Sequence, residues 1–191
     1  KSVRAKATKV YDYRTIETGP KKGDKFEVEI PTSIIGSIEF KNSAVIQFFL
    51  SFDVINHQRN HIELYGTKGS MIVPDPNMFG GSVFSSYSES GEWKEYSSSD
   101  MLIGKTNIFN KSVRSNEEPE VANYRGVGLS EMIDAIENKR TNRCNGKLSL
   151  HVLDMIDSTI NAAINGVEQN LRTNCERPMV FSENEIKQLM K

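Results

Sequence analysis

The residues able to do chemistry are few and scattered. The histidines are His57, His61 and His151, and the cysteines are Cys144 and Cys175. His57 and His61 stand four apart, but in a strand or loop context, and neither Glu nor Cys completes a zinc set around them. No metal site is expected. His151 opens a helical stretch beside Asp154 and reads as structural or capping. Asp154 and Asp157 lie three apart on the same stretch and read as an ordinary solvated pair, not an acid/base dyad. Gly126-Val127-Gly128 begins like a dinucleotide loop. The third glycine position holds Glu131, however, whose carboxylate would repel a pyrophosphate, so entry into a helix is the simpler reading. No nucleophile elbow, phosphate loop or metalloprotease helix is present. The polar side chains best placed to meet a small ligand are His57, Arg59 and Asn77, all in loops at strand ends. Arg125 precedes a helix and suits either a salt bridge or a ligand clamp.

The elements that must position these groups are mostly strands. In Ser43 to Pro74, Ala44, Ile46, Phe48, Leu50, Phe52 and Val54 alternate with Val45, Gln47, Phe49, Ser51 and Asp53. Period-2 alternation predicts a strand with one buried face. The other face is apolar at Val45 and Phe49 and polar between, which suits a ligand or another subunit better than open water. Ile62 to Tyr65 continues as a strand, Gly66-Thr67-Lys68-Gly69 turns, and Ser70 to Val73 returns. Ahead of this stretch, Ser2 to Tyr13 alternates weakly as an edge strand. Phe26, Val28 and Ile30 mark a second strand, stopped by Pro31, and Ser33 to Phe40 a third. Pro74-Asp75-Pro76-Asn77 forms a rigid turn, and Gly80-Gly81 lets the backbone bend. Ser82 to Ser99 reads as a polar hairpin tipped by Ser90-Gly91.

After a long polar connection from Asp100 to Asn123, the period changes. Leu129, Met132, Ile133 and Ile136 fall at helical spacing, predicting an apolar stripe turned to a core. Leu150, Leu153, Ile156, Ile160, Ala163 and Ile164 mark a second helix, stopped by Gly166. Ser182 and Glu185 have capping-box spacing and start a third. Strands first and helices after predict an α+β fold: an open-faced, mostly antiparallel sheet with helices packed on one face, a two-layer sandwich. The strand-helix-strand repeat of a doubly wound nucleotide fold is absent from this order.

The bulk properties narrow the classes further. The chain has 191 residues, long enough for one domain or two small ones, and a net charge of −1 from 24 basic and 25 acidic residues. Such a balance offers neither nucleic acid nor an anionic membrane an electrostatic hold. No apolar run approaches the ~18 residues of a membrane span. Two lone thiols read as reduced, which points to the cytoplasm. Asn110-Lys111-Ser112 fits a glycosylation triplet by chance. The first residue is Lys1, so a piece of a longer chain is expected.

Four blocks in order carry a family resemblance: Ile62-Glu63-Leu64-Tyr65-Gly66-Thr67-Lys68-Gly69-Ser70, Val73-Pro74-Asp75-Pro76-Asn77-Met78-Phe79-Gly80-Gly81, Tyr124-Arg125-Gly126-Val127-Gly128-Leu129, and Leu150-His151-Val152-Leu153-Asp154-Met155. Over nearly its whole length the chain resembles the C-terminal domain of the glucose–fructose oxidoreductase / inositol dehydrogenase (Gfo/Idh/MocA) family. The resemblance implies that residues 1–191 are one substrate-binding and oligomerisation domain of a longer NAD(P)-dependent sugar or polyol dehydrogenase. The parent's N-terminal Rossmann domain would bind NAD or NADP, its N-terminal half would carry the Glu-Lys-Pro lysine, and the family's aspartate and histidine would lie on a helix just before the first strand of the large sheet, also ahead of Lys1. Glu176-Arg177-Pro178 comes nearest to that motif but lacks the lysine and sits at the wrong end. No catalytic or cofactor-binding residue is therefore expected here, and this stretch alone is expected to be inactive. His57, Arg59, Asn77 and Arg125 remain as substrate-binding candidates, and a homo-oligomer is expected through the open sheet face. The alternative is a stand-alone sugar-binding or protein-interaction module, and a weaker one is a catalytically dead relative that senses a metabolite.

Overall fold

The computed structural model describes residues 1–87, 91–109 and 120–190. Ser90 of the predicted hairpin tip, the triplet Asn110-Lys111-Ser112 and much of the polar connection lie outside the described residues. The chain forms two compact units. Residues 1–57 and 145–177 make the first, and 58–144 and 178–191 the second.

The first unit is built on a four-stranded antiparallel sheet. Its strands are β1 (Ser2–Thr8), β4 (Ser33–Glu39), β5 (Val45–Ser51) and β12 (Gln169–Asn170), in the order β12-β1-β4-β5. A small hairpin of β2 (Tyr13–Thr15) and β3 (Lys25–Glu27) lies between β1 and β4 in sequence. The registers place Val3 opposite Ile38, and Gly36 between Ala5 and Phe48. Gly36 has a steric reason: a Cβ there would sit 2.5 Å from the Arg4 carbonyl oxygen and 2.6 Å from the Phe48 ring. The aromatic ring thus covers the glycine of its neighbouring strand. Asp53, just past β5, gathers the strand ends. It accepts from Arg14 Nη2, Thr32 Oγ1 and Ser33 Oγ, each at 2.6 Å.

Helix α2 (Gly146–Asn165) packs on β1. Asn145 caps its start by accepting from the Lys147 and Leu148 amides, and Gly166, at φ 68°, ends it in the left-handed conformation the sequence predicted. The side turned inward is not the predicted apolar stripe. Asp154, Ser158 and Ala162 are buried, whereas Leu150, Leu153, Ile156, Ile160 and Ile164 are 40–65 % exposed. Asp154 also corrects the reading of a solvated pair. Its Oδ2 accepts from the backbone amides of Arg172 and Thr173, both at 2.8 Å, and from Thr173 Oγ1 at 2.8 Å. Burial pushes its carboxyl pKa up. Hydrogen bonds from Thr173 and Arg172 outweigh that and hold it far below the usual range. His151 Nδ1 lies 2.9 Å from the same Thr173 hydroxyl, the structural role expected of it.

The second unit carries another four-stranded antiparallel sheet. β6 (Ile62–Gly66), β7 (Gly69–Val73), β8 (Ser82–Ser86) and β9 (Lys94–Ser97) pair in sequence order. The predicted turn at residues 66–69 and the polar hairpin are both present. The α+β class with open antiparallel sheets and helices is as the sequence predicted. The strands, however, divide among two four-stranded sheets and two two-stranded pairs, β2 with β3 and β10 (Ile108–Phe109) with β11 (Glu120–Val121), and β5 and β6 are not partners among the described residues. Alternation tells which residues share a face, and it carries no information about which strand lies alongside.

Helix α1 (Gly126–Glu137) repeats the inversion seen in α2. Leu129, Met132, Ile133 and Ile136 are 42–70 % exposed, and Glu131 and Ala135 are buried. The physical cause is the charge at Glu131. Arg140 Nη1 donates to its Oε1 at 2.6 Å, and the Arg143 amide donates at 3.3 Å. Burial would raise the Glu131 pKa, but the bonds from Arg140 and Arg143 leave it below its ordinary value. Arg143 also stacks on Phe181 and donates to Glu185 at 2.6 Å, which ties α3 (Glu183–Leu189) to this cluster. The Ser182–Glu185 capping box forms as predicted.

Candidate functional site

The richest set of convergent polar groups lies in the second unit, where three loops meet. The first follows β7. Asp75 Oδ1 accepts from the Asn77 amide at 2.9 Å, closing a turn of the kind aspartate favours. Gly80 and Gly81 then adopt φ of 94° and 98°, which only glycine takes without strain. Phe79 bridges to Ala122, and its ring meets Tyr124 edge-on with centroids 5.9 Å apart.

The second and third loops are clamped by amide groups. The Asn107 side chain donates to the Asn123 carbonyl at 2.9 Å and accepts from the Asn123 amide at 2.7 Å. One side chain thereby imitates a strand partner and fixes the approach to α1. Tyr124 Oη donates to the Lys105 carbonyl at 2.9 Å, and Asn123 Oδ1 accepts from the Arg125 amide at 3.3 Å. Close packing supports the corner: a Cβ on Gly104 would lie 1.9 Å from the Ser98 carbonyl oxygen.

Arg125 and Asn77 are brought together here. Arg125 Nη2 donates to the Asn77 carbonyl at 3.0 Å, across 48 residues of sequence. Both residues are exposed. A guanidinium has five donors in a planar fork, so anchoring through one of them leaves others able to meet neighbouring oxygens of a ligand. The amide of Asn77 adds a donor and an acceptor at the same place.

The other two candidates lie elsewhere. Arg59 is exposed at the foot of β6, near Glu63. The Glu63 carboxyl sits below its ordinary pKa, held first by the Tyr65 hydroxyl, then by Asn60 Nδ2 at 2.8 Å, with a smaller electrostatic pull from Arg59. His57 is exposed and is the last residue of the first unit. Among the described residues no cluster of metal-ligating side chains is present, and no helix is long and apolar enough to cross a membrane. Gly126 and Gly128 fall in the first turn of α1, which agrees with helix entry. Asn107, Asn123 and Tyr124 were missed as positioning residues. An Asn that pairs with a backbone 16 residues away leaves no spacing signal.

No family model and no curated protein matches the sequence. Solved structures do match in fold. A levoglucosan dehydrogenase in complex with NADH and L-sorbose aligns with a TM-score of 0.58 and 16 % identity, over 90 % of this chain and 45 % of that one. An aldose-aldose oxidoreductase from Caulobacter crescentus complexed with glycerol gives 0.56 and 16 %, over 89 % and 41 %. An oxidoreductase domain protein from Kribbella flavida gives 0.61 and 14 %, over 89 % and 44 %. The chain spans less than half the length of these proteins. In fold it is similar to oxidoreductases of the Gfo/Idh/MocA type, as its four sequence blocks imply.

Proposed function

We propose that the chain is the substrate-binding and subunit-pairing portion of a longer, cytoplasmic NAD(P)-dependent oxidoreductase acting on a sugar or polyol. The observation that carries this reading is the fold shared with sugar oxidoreductases of about twice its length. In the full enzyme a hydride would leave a carbinol carbon for C4 of the nicotinamide. The hydroxyl proton would go to a base outside these residues. This portion would supply no catalytic group. It would hold the polyol through donors and acceptors at Arg125 and Asn77. A fixed pair of polar groups that orients a substrate raises the rate by placing the reacting carbon, without joining the chemistry.

Subunit pairing is supported by the sheet face carrying Ile35, Val45 and Phe49. These three are 55–58 % exposed, and Ile35 and Phe49 are direct cross-strand partners. Light scattering should give at least a dimer at micromolar concentration. The reading is tested by calorimetry with NADH and by an NADH-production assay across a panel of sugars and polyols. The parent polypeptide should bind NADH and reduce NAD or NADP with at least one of them. Residues 1–191 alone should bind no NADH. Micromolar NADH affinity in residues 1–191 would overturn the assignment, and sugar binding by the parent with no oxidation would favour a non-catalytic module.

A further inference from the structure

The chain holds two Asn-Gly pairs, Asn145-Gly146 and Asn165-Gly166, one at each end of α2. An asparagine before glycine is open to attack by the following backbone nitrogen on its side-chain amide carbon, because glycine puts no Cβ in the way. The fold treats the two ends differently. At Asn165 the attacking nitrogen is occupied: the Gly166 amide donates to the Ala162 carbonyl at 2.9 Å. Gly146 is instead the first residue of α2, and a helix offers its first amides no acceptor of its own. Outside its own turn, a Cβ at Gly146 would meet nothing within 4 Å. Asn145 Oδ1 meanwhile accepts from the Lys147 and Leu148 amides at 3.0 and 3.1 Å. Two N–H groups on that oxygen draw electrons from Cγ, and they already point at the charge that attack on Cγ would leave there. The cap that starts the helix is thus also a small oxyanion hole.

We infer that Asn145 is a site of spontaneous modification, deamidation through a cyclic imide, which the fold favours there over Asn165. The Gly146 nitrogen loses its proton to solvent base and bonds to Asn145 Cγ. The Cγ–Nδ2 bond breaks, and Nδ2 takes a proton back from solvent and leaves as ammonia. Water then opens the imide, and no atom changes oxidation state. Opening at Cγ gives aspartate in an ordinary main chain. Opening at the main-chain carbonyl gives isoaspartate, with the chain routed through Cβ and Cγ. The two products act on α2 in opposite directions. Aspartate keeps the capping oxygen and adds negative charge at a helix N-terminus, where it is favourable. Isoaspartate adds a methylene to the main chain, displaces the capping oxygen and releases the Lys147 and Leu148 amides. The inference is independent of the oxidoreductase reading, since it needs only the two ends of one helix.

The test uses the parent polypeptide. It is incubated in mildly alkaline buffer made with heavy-oxygen water, so that new conversion carries a label. Peptides are mapped by mass spectrometry, with fragmentation that tells aspartate from isoaspartate. Asn145 should convert about tenfold faster than Asn165 or more, because the Gly166 nitrogen must first give up its hydrogen bond. In denaturant the two rates should converge. Gly146→Ala should slow conversion at Asn145 several-fold, and Asn145→Asp should melt no lower than the native sequence. An unconverted Asn145, a rate ratio that is the same folded and unfolded, faster conversion at Asn165, or an undiminished rate in Gly146→Ala would each overturn the inference. The products are also separated by ion exchange and melted. The isoaspartate form should unfold a few degrees below the aspartate form. The reverse order would overturn the opposed roles of the two products.

Discussion

The Asp154 carboxylate receives the backbone amides of both Arg172 and Thr173 at 2.8 Å, and Arg172 Nε donates to its other oxygen at 3.1 Å. One side chain in the middle of α2 therefore satisfies the segment just after β12, the short strand that completes the sheet beside β1. Removing it orphans two backbone donors at once, and unpaired buried donors are more costly than a lost surface ion pair.

Asp154→Ala should lower the melting temperature by roughly 5–10 °C. Arg172→Ala should cost far less, because the Arg172 side chain is 71 % exposed. Thermal unfolding of both variants checks this. Equal losses would mean that the ion pair, not the backbone bonds, holds the segment.

Gly36→Ala should destabilise the first unit by about 1–3 kcal/mol or more through overpacking. The new methyl would lie 2.5 Å from the Arg4 carbonyl oxygen, and backbone cannot swing aside as a flexible side chain can. The double variant Gly36→Ala/Phe48→Leu should recover only part of the loss, since it relieves the ring contact and not the carbonyl one. Urea denaturation with a comparison of midpoints decides between full and partial recovery.

Acid should loosen the C-terminal helix in a defined window. The Glu185 carboxyl is held down to about 2, first by the Ser182 amide, then by Arg143 and the Ser182 hydroxyl. A folded-state pKa below the unfolded one adds stability above the unfolded value and loses it as pH falls through the folded value. The contribution is thus complete above about pH 4.5 and gone near pH 2. Glu185→Gln should melt earlier than the native sequence at pH 7, with the gap closing as pH drops through that window. A gap that does not change with pH would show that the carboxylate charge is not what holds α3.

Arg125→Ala in the parent enzyme should lower kcat/KM for its sugar or polyol by about tenfold or more, with little change in melting temperature. Arg125→Lys should recover part of the activity, because an ammonium keeps the charge but not the planar fork. Steady-state kinetics against NADH binding separates the roles: the affinity for NADH should stay within about twofold. A large loss of NADH affinity instead would place Arg125 in the wrong site.

The amino-acid order determined the local elements and several of their ends. Alternation marks β5 and β6, Gly166 stops α2, and the Ser182–Glu185 pair starts α3, all because period and capping are set by residues within one or two turns of each other. Asn77 and Arg125 were legible as polar residues in loops, but their contact across 48 residues was not. Nor could Asn107 be read as the side chain that clamps Asn123.

Tertiary structure decided which strands became neighbours and which helix faces turned inward. Hydrophobic spacing in α1 and α2 points to the Leu and Ile stripes, yet the buried sides hold Glu131 and Asp154. The reason is that a carboxylate met by several long-range donors gains more from being enclosed than spacing alone can reveal. Arg140, Arg143, Arg172 and Thr173 supply those donors from segments that the helical period cannot see.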